Sequence, residues 1–205
     1  MSKYPVIIFE GIETSGKTTN IKIISNYLKK INRKFIKIRE PGGCKNSELI
    51  RSLILNKKSN FNLISDFLLM MASRSENIDK IIKKNNKKKI ILIDRFSDST
   101  FAYQHYGMGI NLDLIKKINN LIIGKFKPNI TFLSIVNSKN MRDRLRNRKN
   151  KNKYDNFNYS FYNKVQKGYI KLSQNNKKYV IIDSNKNTIK QNSSIIINTI
   201  KKIIK

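Results

Sequence analysis

The stretch "VIIFEGIETSGKTT", from Val6 to Thr19, decides the fold of this chain. An apolar run leads directly into the pattern G-x-x-x-x-G-K-T, and apolar residues then recur at helical spacing. Gly11 and Gly16 allow the backbone to wrap around a phosphate, and the following helix directs its N-terminus at the same anion. The stretch therefore predicts a buried strand, a phosphate-binding loop and a helix.

The side chains of this loop suit a nucleoside triphosphate. Lys17 would place a cation at the β and γ phosphates, and the Thr18 hydroxyl would bind Mg²⁺. A loop of this kind does not by itself distinguish a kinase from a GTPase or a helicase. We predict nucleotide contacts for the whole loop, which consists of Gly11, Ile12, Glu13, Thr14, Ser15, Gly16, Lys17, Thr18 and Thr19.

Four further apolar runs predict strands, at residues 34–38, 89–94, 129–136 and 178–183. Each run is continuously apolar, as in strands that are buried on both faces. Alternating strands and helices build a parallel sheet with helices on both sides. The sequence thus predicts one α/β domain over residues 1–205, with three layers around a five-stranded parallel sheet. Helical spacing predicts helices at 19–31, 47–55, 63–82, 112–123, 161–173 and 193–204, and one beginning at 141.

The composition of the chain suits the cytoplasm. Its 205 residues include one cysteine, Cys44, which cannot form an internal disulfide and indicates a reducing compartment. No apolar run reaches the ~18 residues of a membrane span. The first apolar run leads straight into the phosphate loop and leaves no room for a signal peptide. We therefore expect a soluble cytoplasmic protein with no membrane role.

The formal net charge is +30, from 43 Lys and Arg against 13 Asp and Glu. Such a charge is typical of proteins that bind nucleic acid or a membrane surface. Lysine, asparagine and isoleucine recur throughout the chain, however, and these residues share A/T-rich codons. The bias of the genome therefore explains the charge without a polyanionic partner, and we expect no nucleic-acid role.

The segment "LIDRFSD" places Asp94 and Arg95 at the end of a predicted strand. In an open parallel sheet, ligands bind at the carboxyl ends of the strands. Asp94 would orient the Mg²⁺ shell there through water, and Arg95 would bridge two phosphoryl groups. The competing interpretation is a surface ion pair. We predict Lys17, Asp94 and Arg95 as catalytic residues.

Several segments together resemble the thymidylate kinase family. They are "FEGIETSGKTT", "REPGG" followed by "LIRSLIL", "LLMMASR", "DRFSDSTFAYQ" and "FYNKVQKGYIKLS", in this order along nearly the whole chain. The resemblance implies a P-loop NTPase fold and the conversion of dTMP to dTDP, with ATP–Mg²⁺ as the phosphoryl donor. It also implies a homodimer and a short lid at about residues 147–157.

The resemblance further implies which side chains hold the dTMP phosphate and sugar. Arg51 and Arg95 would bind the phosphate, because a guanidinium offers paired donors. Glu13 would accept a hydrogen bond from the 3′-hydroxyl. Tyr103 would lie under the sugar and leave no room for a 2′-hydroxyl. The Glu40–Pro41 peptide bond would be cis, as in the family.

The thymine base would meet a second set of residues. Gln104 would pair with the base edge, since its amide both donates and accepts. Arg74 would reach a thymine carbonyl, and Thr100 would lie nearby. Met70 stands where the family has a phenylalanine stacked on thymine, so we expect a flexible but weaker contact. We assign no catalytic role to His105.

The ATP side departs from the family pattern. Thr14 stands where relatives carry glycine or arginine, so an arginine for the ATP phosphates would have to come from the lid. The lid reads "NKYD" where the family pattern is close to Asp-Arg-Ile-Glu, which puts Lys153 at the expected arginine. Lysine keeps the charge but loses the paired donors. Arg148 or Arg146 is the alternative.

Two rival functions stay open from the sequence. The nearer rival is a kinase of the same fold with a different nucleotide or deoxynucleoside acceptor. The other is a nucleic-acid binder with a degenerate loop, for which the cluster "RDRLRNR" offers some support. The intact loop and the Asp-Arg pair favour the kinase.

Overall fold

The computed structural model describes residues 4–56, 58–148 and 153–204. Five strands form one parallel sheet in the spatial order β2-β3-β1-β4-β5. They lie where the apolar runs predicted them, so the predicted sheet is confirmed. The strands are β1 (Val6–Glu10), β2 (Phe35–Arg39), β3 (Ile90–Asp94), β4 (Ile130–Ile135) and β5 (Tyr179–Asp183).

The helices follow the predicted order, with one addition. Residues 97–107 form a helix that was not predicted: Ser99, Thr100, Tyr103 and Gln104 line a cavity, whereas Phe101 and Ala102 pack into the core. The helices are α1 (Lys17–Lys30), α2 (Lys45–Leu55), α3 (Leu63–Asn77), α4 (Lys83–Asn85), α5 (Ser97–Thr100), α6 (Leu112–Ile123), α7 (Ser138–Arg146), α8 (Tyr159–Ser173) and α9 (Ile189–Ile203). A π-helical segment, Ile78–Ile82, joins α3 to α4, and another, Phe101–Gly107, continues α5.

The helix α7 begins earlier than predicted. It starts at Ser138 rather than at Met141, because the Asn137 side chain caps it by accepting a hydrogen bond from the Asn140 N–H. A short 3₁₀ turn, Lys153–Asn156, precedes α8. No helix among the described residues combines the length and apolar character needed to cross a membrane.

The two faces of β1 pack into different cores. Ile7 and Phe9 belong to a buried cluster with residues of α1 and α9. Val6 and Ile8 belong to another, which includes the π-helical segment after α3. Alternate residues of a strand point to opposite faces, so this division gives the predicted three layers.

The prediction that every strand is buried on both faces is wrong for the sheet edges. β1 and β4 are buried along nearly their whole length, whereas Lys37 and Arg39 of β2 and Ile181 of β5 are exposed. β2 and β5 have a neighbouring strand on one side only. Charged side chains on an edge strand also hinder pairing with another chain.

The carboxyl ends of β1 and β3 open into one crevice. The phosphate loop follows β1, and Arg95 follows β3, its neighbour in the sheet. β1 lies between β3 and β4, where the crossover connections diverge, and this is where open parallel sheets bind ligands. The Glu40–Pro41 bond at the end of β2 is cis, as predicted.

Candidate active site

A cavity of about 420 Å³ lies in this crevice. The phosphate loop, the ends of β2 and β3, and helices α2, α3 and α5 contribute its walls. It brings together most of the side chains predicted from the sequence: Glu13, Thr14, Lys17, Thr18, Arg51, Met70, Arg74, Asp94, Arg95, Thr100, Tyr103, Gln104 and Arg148.

Other predicted loop residues do not line the cavity. Ile12 and Ser15 are buried, and Thr19 is exposed on the first turn of α1. Nucleotide contacts from these residues, and from Gly11 and Gly16, stay a prediction. Such contacts would have to come from the backbone of the loop.

The loop has the backbone that a phosphate cradle requires. Gly16 has a φ of 98°, and Gly11 has a φ of 138°. A Cβ at Gly11 would lie 2.3 Å from the carbonyl oxygen of Ser134, so only glycine fits there. Thr14 takes a positive φ of 57° despite its branched side chain, and its hydroxyl donates to the carbonyl of Met141.

Lys17 is buried beneath the loop. Its ammonium donates to the carbonyl oxygens of Gly11 at 2.9 Å and Ile12 at 2.7 Å. Burial and the nearby charge of Arg95 lower the Lys17 pKa to about 8, against the opposing effect of Asp94. The two loop carbonyls therefore hold the ammonium in place, and its charge is sensitive to mildly alkaline pH.

Arg95 binds the phosphate loop at two points and faces Tyr103 on the opposite wall. Its φ is 66°, in the left-handed region that few non-glycine residues adopt. Its guanidinium donates from Nη1 to the Gly11 carbonyl at 2.9 Å and from Nη2 to Glu13 Oε1 at 2.8 Å. The guanidinium also lies over the Tyr103 ring, 5.1 Å from the centroid. The position of the Arg95 guanidinium suits a group that contacts ligands on both sides of the cavity.

Glu13 is shared between two partners. Tyr103 donates its hydroxyl to Glu13 Oε2, while Arg95 binds the other oxygen. Burial raises the Tyr103 pKa well above its usual value, so the phenol stays a donor. The carboxylate is thereby fixed at the boundary between the loop and the deeper half of the cavity.

Arg74 is 3% exposed and uses most of its hydrogen-bonding capacity within the protein. Nε donates to Glu40 Oε2 at 2.7 Å, Nη1 to Thr100 Oγ1 and Asn119 Oδ1, and Nη2 to the Phe96 carbonyl. A guanidinium has five N–H donors. Within the described residues, one N–H of Nη2 is thus left for a ligand.

The Glu40 carboxylate that pairs with Arg74 is equally buried. Burial raises the Glu40 pKa, and the charge of Arg74 opposes the rise. The pair is a fixed charged element deep in the cavity, and removal of one member would leave the other charge without its partner.

The apolar wall of the deeper half comes from Met70, Leu55 and Tyr154. Met70 is half-buried, so its side chain is available to a flat ligand. Gln104 is 2% exposed and lines the same space. His105 contacts the Ile110 carbonyl through Nδ1 at 2.9 Å and does not line the cavity.

Arg51 and Arg39 add positive charge at the cavity mouth. Arg51 donates to the Pro41 carbonyl, and burial, then the charge of Arg39, lowers its pKa. Sequence reasoning missed Arg39, although its position at the end of β2 could have indicated it. It also missed the lining residues Leu55, Phe96, Ser99 and Tyr154, which the topology alone brings together.

The lid region contributes Arg148 and Tyr154 to the cavity. Arg148 Nη1 pairs with Asp155 Oδ1 at 2.6 Å, and Tyr154 donates its hydroxyl to Asp66 on α3. Arg146 instead lines a separate hollow of about 120 Å³ between α7 and α8. The side chain of Lys153 lies outside the described part of the chain.

Another arginine of α7 reaches the phosphate loop without having been predicted. Arg144 donates from Nη1 to the Thr14 carbonyl at 3.1 Å and from Nη2 to the Ser184 carbonyl at 3.2 Å. The Ser184 hydroxyl donates to the Ser15 carbonyl at 2.7 Å. These contacts support the outer arm of the loop, and the sequence carries no pattern that pairs α7 with it.

Oxygen donors for a divalent cation lie beside the loop. Asp94 Oδ1 is buried without a hydrogen-bond partner among the described residues, and Thr18 lies on the same wall. Hard oxygen ligands suit Mg²⁺, which keeps several waters and takes phosphate oxygens as ligands. The described ranges contain no group of three acidic, His or Cys side chains that could hold a metal by themselves. The site therefore fits a cation that arrives with a nucleotide.

Comparison with known proteins gives one consistent result. The family model described as thymidylate kinase matches residues 9–196. A thymidylate kinase of Sulfurihydrogenibium sp. is 37% identical, over 95% of this chain and 96% of the relative. One from Wolbachia sp. subsp. Brugia malayi is 40% identical, over 82% and 81%. The crystal structure of thymidylate kinase from Ehrlichia chaffeensis superposes with a TM-score of 0.78 at 32% identity, over 98% of this chain and 100% of that one. The chain therefore belongs to the thymidylate kinase family.

Proposed function

We propose that this enzyme transfers the γ-phosphoryl group of ATP to dTMP, giving dTDP and ADP, in the cavity at the carboxyl ends of β1 and β3. It is a kinase of the thymidylate kinase family, and dTMP is its acceptor. One observation carries the assignment of the site. Arg95 bonds to the phosphate loop through the Gly11 carbonyl and the Glu13 carboxylate and lies over the Tyr103 ring on the facing wall, so a phosphoryl group passing between two nucleotides would meet its guanidinium.

The donor half would hold ATP over the loop. Lys17 would bind the β and γ phosphates, which means exchanging its present carbonyl partners for phosphate oxygens. Thr18 would bind Mg²⁺ directly, and Asp94 would do so through water. A cation held there would supply charge neutralisation at the phosphates.

The acceptor half would hold dTMP by its phosphate, sugar and base. Arg51 and Arg95 would bind the phosphate, and Arg39 adds charge at the same mouth. Glu13 would accept from the 3′-hydroxyl, beside the Tyr103 ring, which leaves little space for a 2′-hydroxyl.

The base would lie against the apolar wall. Met70 would contact one face of thymine, and the Gln104 amide would pair with its edge. The remaining Nη2 donor of Arg74 would reach a carbonyl oxygen, with Thr100 holding that guanidinium in place at 3.0 Å.

The reaction depends more on the relative positions of the two phosphate groups than on proton transfer. The dTMP phosphate oxygen is already ionised near neutral pH, so it can attack the γ phosphorus in line without a strong general base. Lys17 and Arg95 would stabilise the charge on the transferred group, and their placement on packed elements means little reorganisation at the moment of transfer.

Residues 1–205 would act as one catalytic domain, with residues at about 147–157 as a lid. Arg148 and Lys153 would approach the ATP phosphates when the lid closes. They would replace the arginine that some relatives carry at the position of Thr14. Closure would exclude water and so prevent ATP hydrolysis. The single cysteine, Cys44, suits a reducing compartment, and we place the reaction in the cytoplasm.

A homodimer would cover an apolar face of the molecule. The packed helices α2, α3 and α6 carry exposed apolar side chains, and a two-fold axis would bring this face onto its own copy. Leu68→Lys should give a monomer by light scattering, whereas Ile195→Lys on α9 should stay dimeric. A Leu68→Lys dimer would contradict this arrangement. The exposed residues are Leu49, Leu53, Phe61, Leu63, Ile64, Leu68, Leu114 and Leu121.

The acceptor assignment is tested by measuring ADP release with dTMP, dUMP, UMP and AMP. We expect the highest kcat/KM with dTMP, lower values with dUMP, and weak turnover with UMP because of its 2′-hydroxyl. Equal turnover of AMP and dTMP would contradict the assignment of the deeper half to thymine. Salt-dependent DNA binding without turnover of any acceptor would instead favour the nucleic-acid rival.

A further inference from the structure

Glu10 is a fully buried carboxylate that the proposed mechanism does not use. It is the last residue of β1 and directly precedes the phosphate loop. A buried carboxylate is costly unless several donors satisfy it. The donors that satisfy Glu10 therefore indicate what its charge holds in place.

Within the described residues, the donors to Glu10 come from the segment that follows Arg95 and from α8. Oε1 accepts from the backbone N–H of Phe96 at 2.8 Å and from that of Ser99 at 3.3 Å. Oε2 accepts from the Ser99 hydroxyl at 2.6 Å and from the Tyr169 hydroxyl at 3.1 Å. The carboxylate thus binds β1 to the start of α5 and to α8.

These contacts fix the backbone of Arg95. The residue has a φ of 66°, which a side chain with a Cβ adopts only when its surroundings impose it. Its own N–H donates to the Phe9 carbonyl at 3.0 Å, and the next N–H, of Phe96, donates to Glu10. Two consecutive N–H groups are therefore held by two consecutive residues of β1.

The same carboxylate orients the hydroxyls that face the Arg95 guanidinium. Nη1 of Arg95 lies 3.3 Å from the Tyr169 hydroxyl oxygen and 3.5 Å from that of Ser99. The two hydroxyl oxygens also lie 2.7 Å apart, so when Ser99 gives its hydrogen to Glu10, Tyr169 can give its own to Ser99 or to Glu10, and each oxygen keeps a lone pair that can accept from Arg95. The negative charge of Glu10 thus acts on the Arg95 guanidinium through the hydroxyls of Ser99 and Tyr169.

We propose that Glu10 is a positioning residue for dTMP phosphorylation, holding the backbone and guanidinium of Arg95 through Phe96, Ser99 and Tyr169. The inference rests on the assignment of Arg95 to the dTMP phosphate. Glutamine at position 10 keeps the shape but has one acceptor oxygen where the carboxylate has two. One set of donors then meets an amide NH₂, and Arg95 loses its alignment.

The test compares Glu10→Gln with Asp98→Asn. Asp98 lies beside Ser99 on α5 but accepts from Tyr179, so it is a matched carboxylate-to-amide control. For Glu10→Gln we expect kcat/KM for dTMP to fall on the order of 10- to 100-fold, the range that lost supporting contacts cost, with KM for ATP within about twofold. Asp98→Asn should change neither constant more than about twofold, because the hydrogen bond of Asp98 goes to Tyr179 and not to the network around Arg95.

A double-mutant cycle distinguishes positioning from a general loss of structure. In an Arg95→Lys background, Glu10→Gln should cost less than about threefold in kcat/KM for dTMP, because its effect passes through Arg95. The same factor in both backgrounds would overturn the inference. So would an unchanged KM for dTMP together with a lower kcat, which is the result of a smaller folded fraction.

Two conservative variants keep the test decisive if Glu10→Gln folds poorly. Ser99→Ala and Tyr169→Phe each remove one hydroxyl of the relay and leave the Glu10 carboxylate in place. Each should weaken dTMP binding in calorimetric titration by about three- to tenfold, the cost of one ordinary hydrogen bond. Wild-type dTMP affinity in both would contradict the relay. Failure of the wild-type enzyme to phosphorylate dTMP would instead refute the proposed function itself.

Discussion

The two halves of the cavity are built in different ways. The acceptor half consists of buried side chains on packed helices, and Arg74 and Gln104 are only 3% and 2% exposed. The donor half relies on the backbone of the phosphate loop and on side chains such as Thr18 and Arg148, which reach solvent. The packed fold thus holds in place the side chains that select the acceptor, whereas exposed groups contribute part of the binding of ATP.

Removal of Lys17 should have the largest effect, because Lys17 is a buried cation that the loop presents to phosphate. Lys17→Ala should lower kcat on the order of 100- to 1000-fold, as removal of a preorganised charge-stabilising group does. Lys22→Ala, on the exposed side of the same helix, is the control. Near-normal turnover with Lys17→Ala would break the assignment of the donor half.

In the acceptor half, Arg74→Met should reduce stability as well as binding. It leaves the buried Glu40 carboxylate without its partner, which typically costs about 3–5 kcal/mol of unfolding free energy. Adding Glu40→Gln should recover much of the stability, measured by denaturant unfolding, but not the affinity for dTMP. Recovery of both would show that Arg74 has only a structural role.

The pH dependence should also separate the two halves. Lys17 is charged below its pKa of about 8 and neutral above it, so kcat/KM for ATP should fall about tenfold per pH unit above that value. With ATP saturating, phosphates keep Lys17 charged, and kcat/KM for dTMP should stay flat from about pH 7 to 9. Initial rates across this range decide the matter, and parallel profiles for the two substrates would contradict the assignment.

Met70→Phe should improve the acceptor half. An aromatic ring against thymine adds about 0.5–1.5 kcal/mol, so the KM for dTMP should fall about two- to tenfold. Met108→Phe is the matched control, because Met108 is half-buried and does not line the cavity. An unchanged KM with Met70→Phe would place that side chain away from the base.

The lid should give the smallest effect. Arg148 lines the cavity and Arg146 does not, so Arg148→Ala should raise the KM for ATP about threefold, as loss of an exposed charged contact does, and Arg146→Ala should leave it unchanged. Steady-state rates at varied ATP measure both. Equal effects would argue against Arg148 as the lid residue that reaches ATP.

The sequence predicted the parts that local pattern encodes. The strand, glycine loop and helix around Lys17 follow from one short stretch, and Asp94 and Arg95 follow from the end of an apolar run. The roles of Arg51, Arg74 and Gln104 came from resemblance, because an arginine on a helix has no local signal that separates a ligand contact from a solvated face.

Other features arise only when distant elements meet. Arg144 reaches the Thr14 carbonyl across the fold, and Glu10 collects donors from Phe96, Ser99 and Tyr169. Residues 97–107 hide their helical character because polar side chains that line the cavity, such as Thr100 and Gln104, interrupt the apolar positions that face the core. No pattern within one segment predicts contacts that depend on the order of strands in the sheet.

The central claim is that both nucleotides occupy one cavity, with Arg95 between them. Adenosine and thymidine joined through five phosphates would span both halves, and its affinity can be measured by calorimetric titration. We predict binding at least about a hundredfold tighter than that of ATP or dTMP alone, since linking makes the second contact intramolecular, and weaker binding to both Lys17→Ala and Arg95→Ala. Binding no tighter than ATP alone, or loss with only one of these variants, would contradict the account.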